Sequence, residues 1–143
     1  MQGSPYLPFM EYPAKVLIAW GEAISGNQPI KDWLAGNGYP ELAMACHAVR
    51  NHGPSRTWLM EQGYPHLMAM IRRCEGDRSA AGWLRQFGFD YLALVGEGAD
   101  NQDEAVQVLV QKNQREWAGI ALKIRSIKNQ IEGEHNSMYK ISR

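Results

Sequence analysis

Cysteine is scarce in this sequence, and long apolar runs are absent from it. Of its 143 residues only Cys46 and Cys74 are cysteines, which is too few for a framework of disulfides. No segment approaches the ~20 consecutive apolar residues that a membrane-spanning helix needs. The N-terminal residues lack a basic stretch and are interrupted by proline, so they do not resemble a secretory signal. We therefore expect a cytoplasmic protein that does not insert into a membrane.

An excess of charge of either sign is also lacking. The 15 lysines and arginines balance the 15 aspartates and glutamates, so the formal net charge at pH 7 is zero. Proteins that bind nucleic acid mainly through its phosphates carry a marked positive excess. The sequence therefore predicts no nucleic-acid partner. The apolar fraction of 45%, which includes five tryptophans, is instead typical of a chain that folds as one domain.

Patterns of catalytic or metal-binding residues are missing as well. Cys46 and His47 lie near His52, but their spacing matches no zinc motif. Gly96 and Gly98 stand within a helical pattern and lack the preceding strand that a phosphate-binding loop requires. Both cysteines align with apolar residues of the repeat described next, which favours a buried structural role over a ligand or a nucleophile. The sequence predicts no catalytic residue, no metal site and no cofactor.

The most informative feature that is present is a repeat of 25 residues. Trp33, Trp58 and Trp83 are separated by 25 residues each time, and a leucine follows each of them. Each segment then ends in a glycine and an aromatic residue, at Gly38-Tyr39, Gly63-Tyr64 and Gly88-Phe89. The register divides the chain into units at residues 16–40, 41–65, 66–90 and 91–115.

Two aligned columns remain apolar throughout the repeat and predict one helix face in each unit. They lie seven residues apart, which is two helical turns. The first column contains Leu17, Leu42, Leu67, Leu92 and Trp117, and the second contains Ile24, Val49, Cys74, Ala99 and Ile124. A second helix is indicated by Ala80, Trp83, Leu84 and Phe87, which follow the i, i+3, i+4, i+7 spacing. Each unit is therefore predicted to be a helical hairpin with these columns in the core.

The end of the second helix carries its own signal. A glycine in the left-handed conformation, followed by an aromatic residue that contacts a leucine of the last turn, is typical of a Schellman motif. Gly38, Gly63 and Gly88 fit this position. In the fourth unit Asn113 replaces the glycine, and one uninterrupted helix over residues 103–132 is the alternative. We favour a break near Asn113, because the later apolar residues keep the register of the repeat.

The segments that flank the repeats are predicted separately. Residues 116–132 are expected to form a capping helix with one solvated face, and residues 133–143 a flexible tail. Residues 1–15 are rich in proline and aromatic residues and cannot form a long helix. They are interpreted as an extended lid over the first hairpin or as a partner-binding arm. Deletion of residues 1–13 would lower stability only in the first case.

Tandem helical hairpins resemble ankyrin and tetratricopeptide repeats, although the periods of those families, about 33 and 34 residues, are longer. The segment 58–63 is similar to the second helix of an ankyrin repeat, with its leucine and terminal glycine, but the Thr-Pro-Leu-His signature and the β-finger are missing. The whole unit also resembles short hairpin repeats of uncharacterised bacterial proteins, over residues 16 to about 132. The resemblance implies an all-α fold, a short right-handed α-solenoid of about four hairpins plus a C-terminal capping helix. It implies no activity and no functional residues.

Candidate binding residues are those that vary between units while the core columns stay apolar, because stacked repeats present such positions side by side. These candidates are Glu22, His47, Arg50, Arg72, Glu75 and Glu97. Ion pairs between repeats, exposed to solvent, are the alternative interpretation of the same positions. Methionines concentrate in the middle units, where they either fill the core or adapt to a partner.

The sequence thus predicts a non-catalytic protein interaction module or adaptor that binds another protein as a monomer or a weak homodimer. One alternative is an enzyme or a small-ligand protein with a pocket between hairpins that uses His47 or Arg72. The other alternative is a structural subunit that assembles through its ends.

Overall fold

The computed structural model describes the backbone of residues 11–141 and the side chains of residues 11–134. Within this part of the chain nine helices and no strand are found, so the predicted all-α class is confirmed. The helices are α1 (Ala14–Ile24), α2 (Gln28–Gly36), α3 (Pro40–Val49), α4 (Gly53–Glu61), α5 (Pro65–Cys74), α6 (Arg78–Gln86), α7 (Asp90–Ala99), α8 (Asp103–Gln111) and α9 (Arg115–Ile141). Among them, none combines the length and apolar character needed to cross a bilayer.

The helices pack as successive antiparallel neighbours around a core built by the odd-numbered helices. Each even-numbered helix contacts the helix before it and the helix after it, and α1, α3, α5, α7 and α9 also contact one another in order. All ten residues of the two apolar columns are buried, with at most 9% of any side chain exposed. The predicted core columns are therefore confirmed.

The same turn ends each helix from α1 to α8. One residue with positive φ follows the helix, and the next amide donates to a carbonyl of the last helical turn at 2.8 to 3.1 Å, which is the Schellman hydrogen bond. The predicted turns at Gly38, Gly63 and Gly88 are confirmed, and so is the break at Asn113, whose φ is 63°. Four further turns of this kind end the odd-numbered helices, at Gly26, Asn51, Gly76 and Asn101. The sequence analysis missed them, although these residues share the 25-residue spacing.

Replacing Gly63 with alanine is expected to lower the free energy of unfolding by about 1 kcal/mol. Its φ of 88° is unfavourable for an L residue, and no heavy atom lies within 4 Å of the added Cβ, so the backbone alone sets the cost. Denaturant titration measures the change. Gly53→Ala is the matched control, because that glycine begins α4 without positive φ and also faces open space. Equal stability of the two variants would contradict the assigned turn.

The last helix contacts the first. Helix α9 packs on α7 and α8 and also lies along α1, where the Trp20 and Trp117 rings meet edge to face with centroids 6.2 Å apart. A solenoid whose repeats contact only their neighbours would keep these two helices apart. The backbone of α9 stays helical through Ile141. The predicted mobility of residues 133–143 and the handedness of the solenoid stay predictions.

The two glycines of α7 mark close approaches between helices. A Cβ at Gly96 would lie 2.6 Å from the Cβ of Arg73 and 3.0 Å from the carbonyl oxygen of Met70, both on α5. A Cβ at Gly98 would lie 2.8 Å from Cγ2 of Val106 on α8. These glycines therefore let α7 sit tightly against its neighbours, which explains their place within a helical pattern.

The predicted N-terminal lid or arm falls mainly on residues 1–10, which lie outside the described residues. Tyr12, at the described end of this segment, packs against the second hairpin. Its hydroxyl donates to Oε2 of Glu41 at 2.7 Å, and its ring lies edge to face with Tyr39. Burial, followed by the nearby Glu41 carboxylate, raises the pKa of Tyr12. The chain is thus anchored at the start of α3 before α1 begins.

Candidate functional site

A groove of about 320 Å³ lies between α4, α5 and α6. We call it the Arg72 groove. Its floor comes from α5 and its walls from α4 and α6. The lining residues are Met60, Pro65, Met68, Ala69, Arg72, Asp77, Ser79, Ala80 and Trp83. Most of this lining is apolar, and its charged side chains are Arg72 and Asp77.

The helical period of α5 creates the floor. Pro65, Met68, Ala69 and Arg72 follow the i, i+3, i+4, i+7 spacing and therefore share one face of the helix. The opposite face carries the core residues, among them Leu67, so one short helix serves both the core and the groove. The periodicity that builds the fold thus also places Arg72.

Asp77 is already engaged within the chain. It caps α6, because its Oδ1 accepts hydrogen bonds from the Ser79 amide at 3.1 Å and the Ser79 hydroxyl at 2.6 Å. The hydroxyl hydrogen bond from Ser79 is the main reason that the pKa of Asp77 lies below its ordinary value, and attraction to Arg72 adds to it. Among the described residues Arg72 itself forms no ion pair.

Repeat-equivalent positions in the neighbouring hairpins are occupied differently. In the second hairpin His47 and His52 take the places of Arg72 and Asp77, and their rings lie 5.7 Å apart. One repeat further along the chain, Arg85 of the third hairpin takes the place of Met60, and Glu97 of the fourth takes that of Arg72. These two side chains form a bidentate ion pair at 2.6 and 2.8 Å that joins α6 to α7. Among the described residues neither His47 nor Arg72 forms an ion pair, and of these two Arg72 carries the permanent charge.

The six predicted binding residues do not line one common groove. Glu22 lies on α1, 3.7 Å from Nζ of Lys123, and Arg50 donates to the carbonyl of Ile24 at 3.1 Å. Glu75 accepts from Arg56 at 2.6 Å. His47 and Glu97 make the contacts described above. Arg72 is the one member of the set that lines the groove, while ion pairing between repeats accounts for Glu22, Glu75 and Glu97.

Several cations of this surface have a common structural role. The C-terminal end of a helix carries partial negative charge on its free carbonyls, which favours a cation there. Each of α1, α3, α5 and α7 receives one from another element. These contacts are Arg50 to Ile24 at 3.1 Å, Arg56 to Ala48 at 2.9 Å, Lys128 to Cys74 at 2.9 Å and Arg125 to Gly98 at 2.7 Å. Arg72 belongs to none of these contacts.

The two cysteines and the histidines among the described side chains are buried or take part in structural contacts. Burial raises the pKa of both Cys46 and Cys74 to about 12, so their thiols stay protonated near neutral pH. His52 caps α4 by accepting from the Ser55 amide, and His66 stacks on Phe89, where burial lowers its pKa to about 4. Within the described residues no group of His, Cys, Asp or Glu side chains could hold a metal ion.

Met60 and Trp83 form the walls of the groove, a role the sequence analysis did not assign. Met60 is 47% exposed and Trp83 is half-buried, whereas Met70 lies in the core. A usable signal was present, because the column that contains Met60 holds alanine, arginine and valine in the other units. A large apolar residue such as Met60, next to the variable column that contains Arg72, could therefore have indicated the groove.

Comparison with known proteins gives no match: no protein-family model, no curated protein and no solved structure is similar to this chain. What the protein does must therefore be argued from the geometry of the Arg72 groove.

Proposed function

We propose that this protein is a non-catalytic, cytoplasmic interaction module and that a segment of a partner protein binds in its Arg72 groove. The module would be a short, right-handed, ankyrin-like α-solenoid whose last helix packs on the first. The observation that carries the proposal is an apolar groove of about 320 Å³ with an unpaired arginine on its floor. At the equivalent position of two other units, Glu22 and Glu97 form ion pairs within the chain.

The residues of the groove are those that dominate binding energy at protein interfaces. Tryptophan and arginine are enriched among such residues, and both are present here as Trp83 and Arg72. Methionine adapts to partners of different shape, and Met60 offers an exposed, unbranched side chain beside them. The groove volume suits one or two side chains of a partner, held by the surrounding helices.

The proposal is tested by selecting short displayed peptides from a random library on the purified protein. Peptides that bind the groove are expected to lose about ten-fold in affinity for Met60→Lys, because the substitution removes an apolar wall and adds positive charge beside Arg72. Fluorescence anisotropy with the synthetic peptides measures the loss.

Val110→Lys is the matched control. Val110 occupies the same repeat position as Met60, is also 47% exposed, and lies outside the groove. It is expected to bind the selected peptides as the unmodified protein does. A library that yields no binder, or binders that ignore Met60→Lys, would overturn the proposed function.

A further inference from the structure

We infer that the partner segment of the Arg72 groove presents a single carboxylate to Arg72, directly beside an apolar side chain that packs between Met60 and Trp83. This inference rests on the proposed function and specifies its ligand. The chemistry recognised is therefore an acidic residue with an apolar neighbour in a protein segment.

The repeat itself supplies the template for this contact. A shift of 25 residues maps Met60 onto Arg85 and Arg72 onto Glu97. There the floor residue Glu97 accepts two hydrogen bonds from the wall residue Arg85. In the Arg72 groove the floor residue is positive, but the wall residue is apolar. The wall position equivalent to Arg85 thus offers no opposite charge to Arg72, and a carboxylate would have to come from another molecule.

Nearby acids of the chain are engaged elsewhere. Asp77 holds the first turn of α6 through both hydrogen bonds from Ser79. Glu75 is bound by two nitrogens of Arg56, at 2.6 and 3.1 Å. A planar guanidinium forms its strongest contacts with a carboxylate that accepts two parallel hydrogen bonds. An acidic side chain from a partner is therefore the group that complements Arg72.

The surroundings also limit how much negative charge the ligand carries. Met60 and Trp83 offer apolar surface beside Arg72. Asp77 lies in the same groove and would repel carboxylates of the ligand, above all one that is not paired with Arg72. The groove thus favours one acidic residue flanked by apolar residues over a run of acidic residues.

The first test repeats the peptide selection on Arg72→Glu in parallel with the unmodified protein. The unmodified protein is expected to enrich peptides with one Asp or Glu beside an apolar residue, and Arg72→Glu to enrich Lys or Arg at the same place. In a synthetic binder, changing the acid to its amide should weaken binding about ten-fold. A role of Arg72 in folding alone would not reverse the charge that is selected.

The second test supplies the carboxylate for Arg72 from the protein itself. Met60→Glu puts a carboxylate on the wall, at the position that Arg85 holds in the next hairpin, and is expected to pair with Arg72. The acidic peptide should then bind about ten-fold more weakly, with an unchanged or higher melting temperature. Val110→Glu, at the equivalent exposed position, should keep full binding.

The outcomes distinguish this inference from the proposed function. Binders that carry no acid preference but are lost in Met60→Lys would overturn the inference and leave the groove as a peptide site. The absence of any binder would overturn both. A homodimer that Met60→Glu dissociates would assign the groove to a second copy of the chain and also overturn the inference.

Discussion

Replacing Trp117 with alanine is expected to lower the free energy of unfolding by about 3–5 kcal/mol. The side chain is 4% exposed and meets the fully buried Trp20 edge to face at 6.2 Å, where α9 contacts α1. Truncation removes a large buried apolar surface and leaves a cavity between the two helices. Because that contact joins the two ends of the repeat array, the loss should appear in one cooperative transition. Denaturant titration followed by circular dichroism measures both properties.

Trp33→Ala is the control for this prediction. Trp33 is also a tryptophan, but it is 48% exposed and stacks on Tyr39 at the surface. Its removal should cost only about 1 kcal/mol. Equal losses for the two variants would show that the contact between α1 and α9 contributes little. A separate, early transition of α9 in Trp117→Ala would show that the array frays from its end instead.

Asp100→Asn is expected to cost a similar amount, about 3–5 kcal/mol, because it leaves the buried guanidinium of Arg73 without a counter-charge. The Arg73 side chain is 3% exposed and donates to Asp100 at 2.8 Å, while Lys128 donates to the same carboxylate at 3.0 Å. Urea titrations at neutral pH measure the difference in unfolding free energy between this variant and the unmodified protein.

Asp100 should also make the stability of the protein depend on pH, because its pKa is shifted in the folded state. Burial by itself would raise the pKa of this carboxyl, but the hydrogen bonds from Arg73 and Lys128 outweigh burial and hold the pKa below its ordinary value. The ionised Asp100 carboxylate therefore stabilises the fold above the pKa that Asp has in the unfolded chain, about 3.9. This stabilisation is lost as pH falls through the lower pKa of Asp100 in the folded protein. The asparagine variant should lack this part of the acid dependence.

The double variant Arg73→Met, Asp100→Asn separates a buried charge from a packing defect. Methionine keeps an unbranched side chain where α5 approaches Gly96, and the buried guanidinium is removed. Replacement of a buried ion pair by apolar groups is often close to neutral, so the double variant should recover most of the stability that Asp100→Asn loses. A double variant at least as unstable as Asp100→Asn would show that the loss does not come from the unpaired arginine.

The repeat, the all-α class and the position of the turns after the even-numbered helices could all be predicted from the amino-acid sequence. Each of these depends on local chemistry. The apolar columns follow the helical period, and a glycine or asparagine permits the left-handed residue that ends a helix. The break at Asn113 could be predicted for the same reason, because register and turn residue agreed within a few positions of the chain.

Which of the variable residues form contacts within the chain could not be predicted from the repeat and depends on the packing of the helices. Glu22, Glu75 and Glu97 lie in the predicted repeat-face columns, as Arg72 does. Each glutamate forms an ion pair, whereas Arg72 forms none among the described residues. The pairing of α1 with α9 and the close approach at Gly96 were likewise not apparent from the repeat. These features depend on contacts between residues far apart in the chain, and side-chain reach and helix separation decide them. The repeat shows which positions vary between units, but the packing of the helices decides which residue each of those side chains contacts.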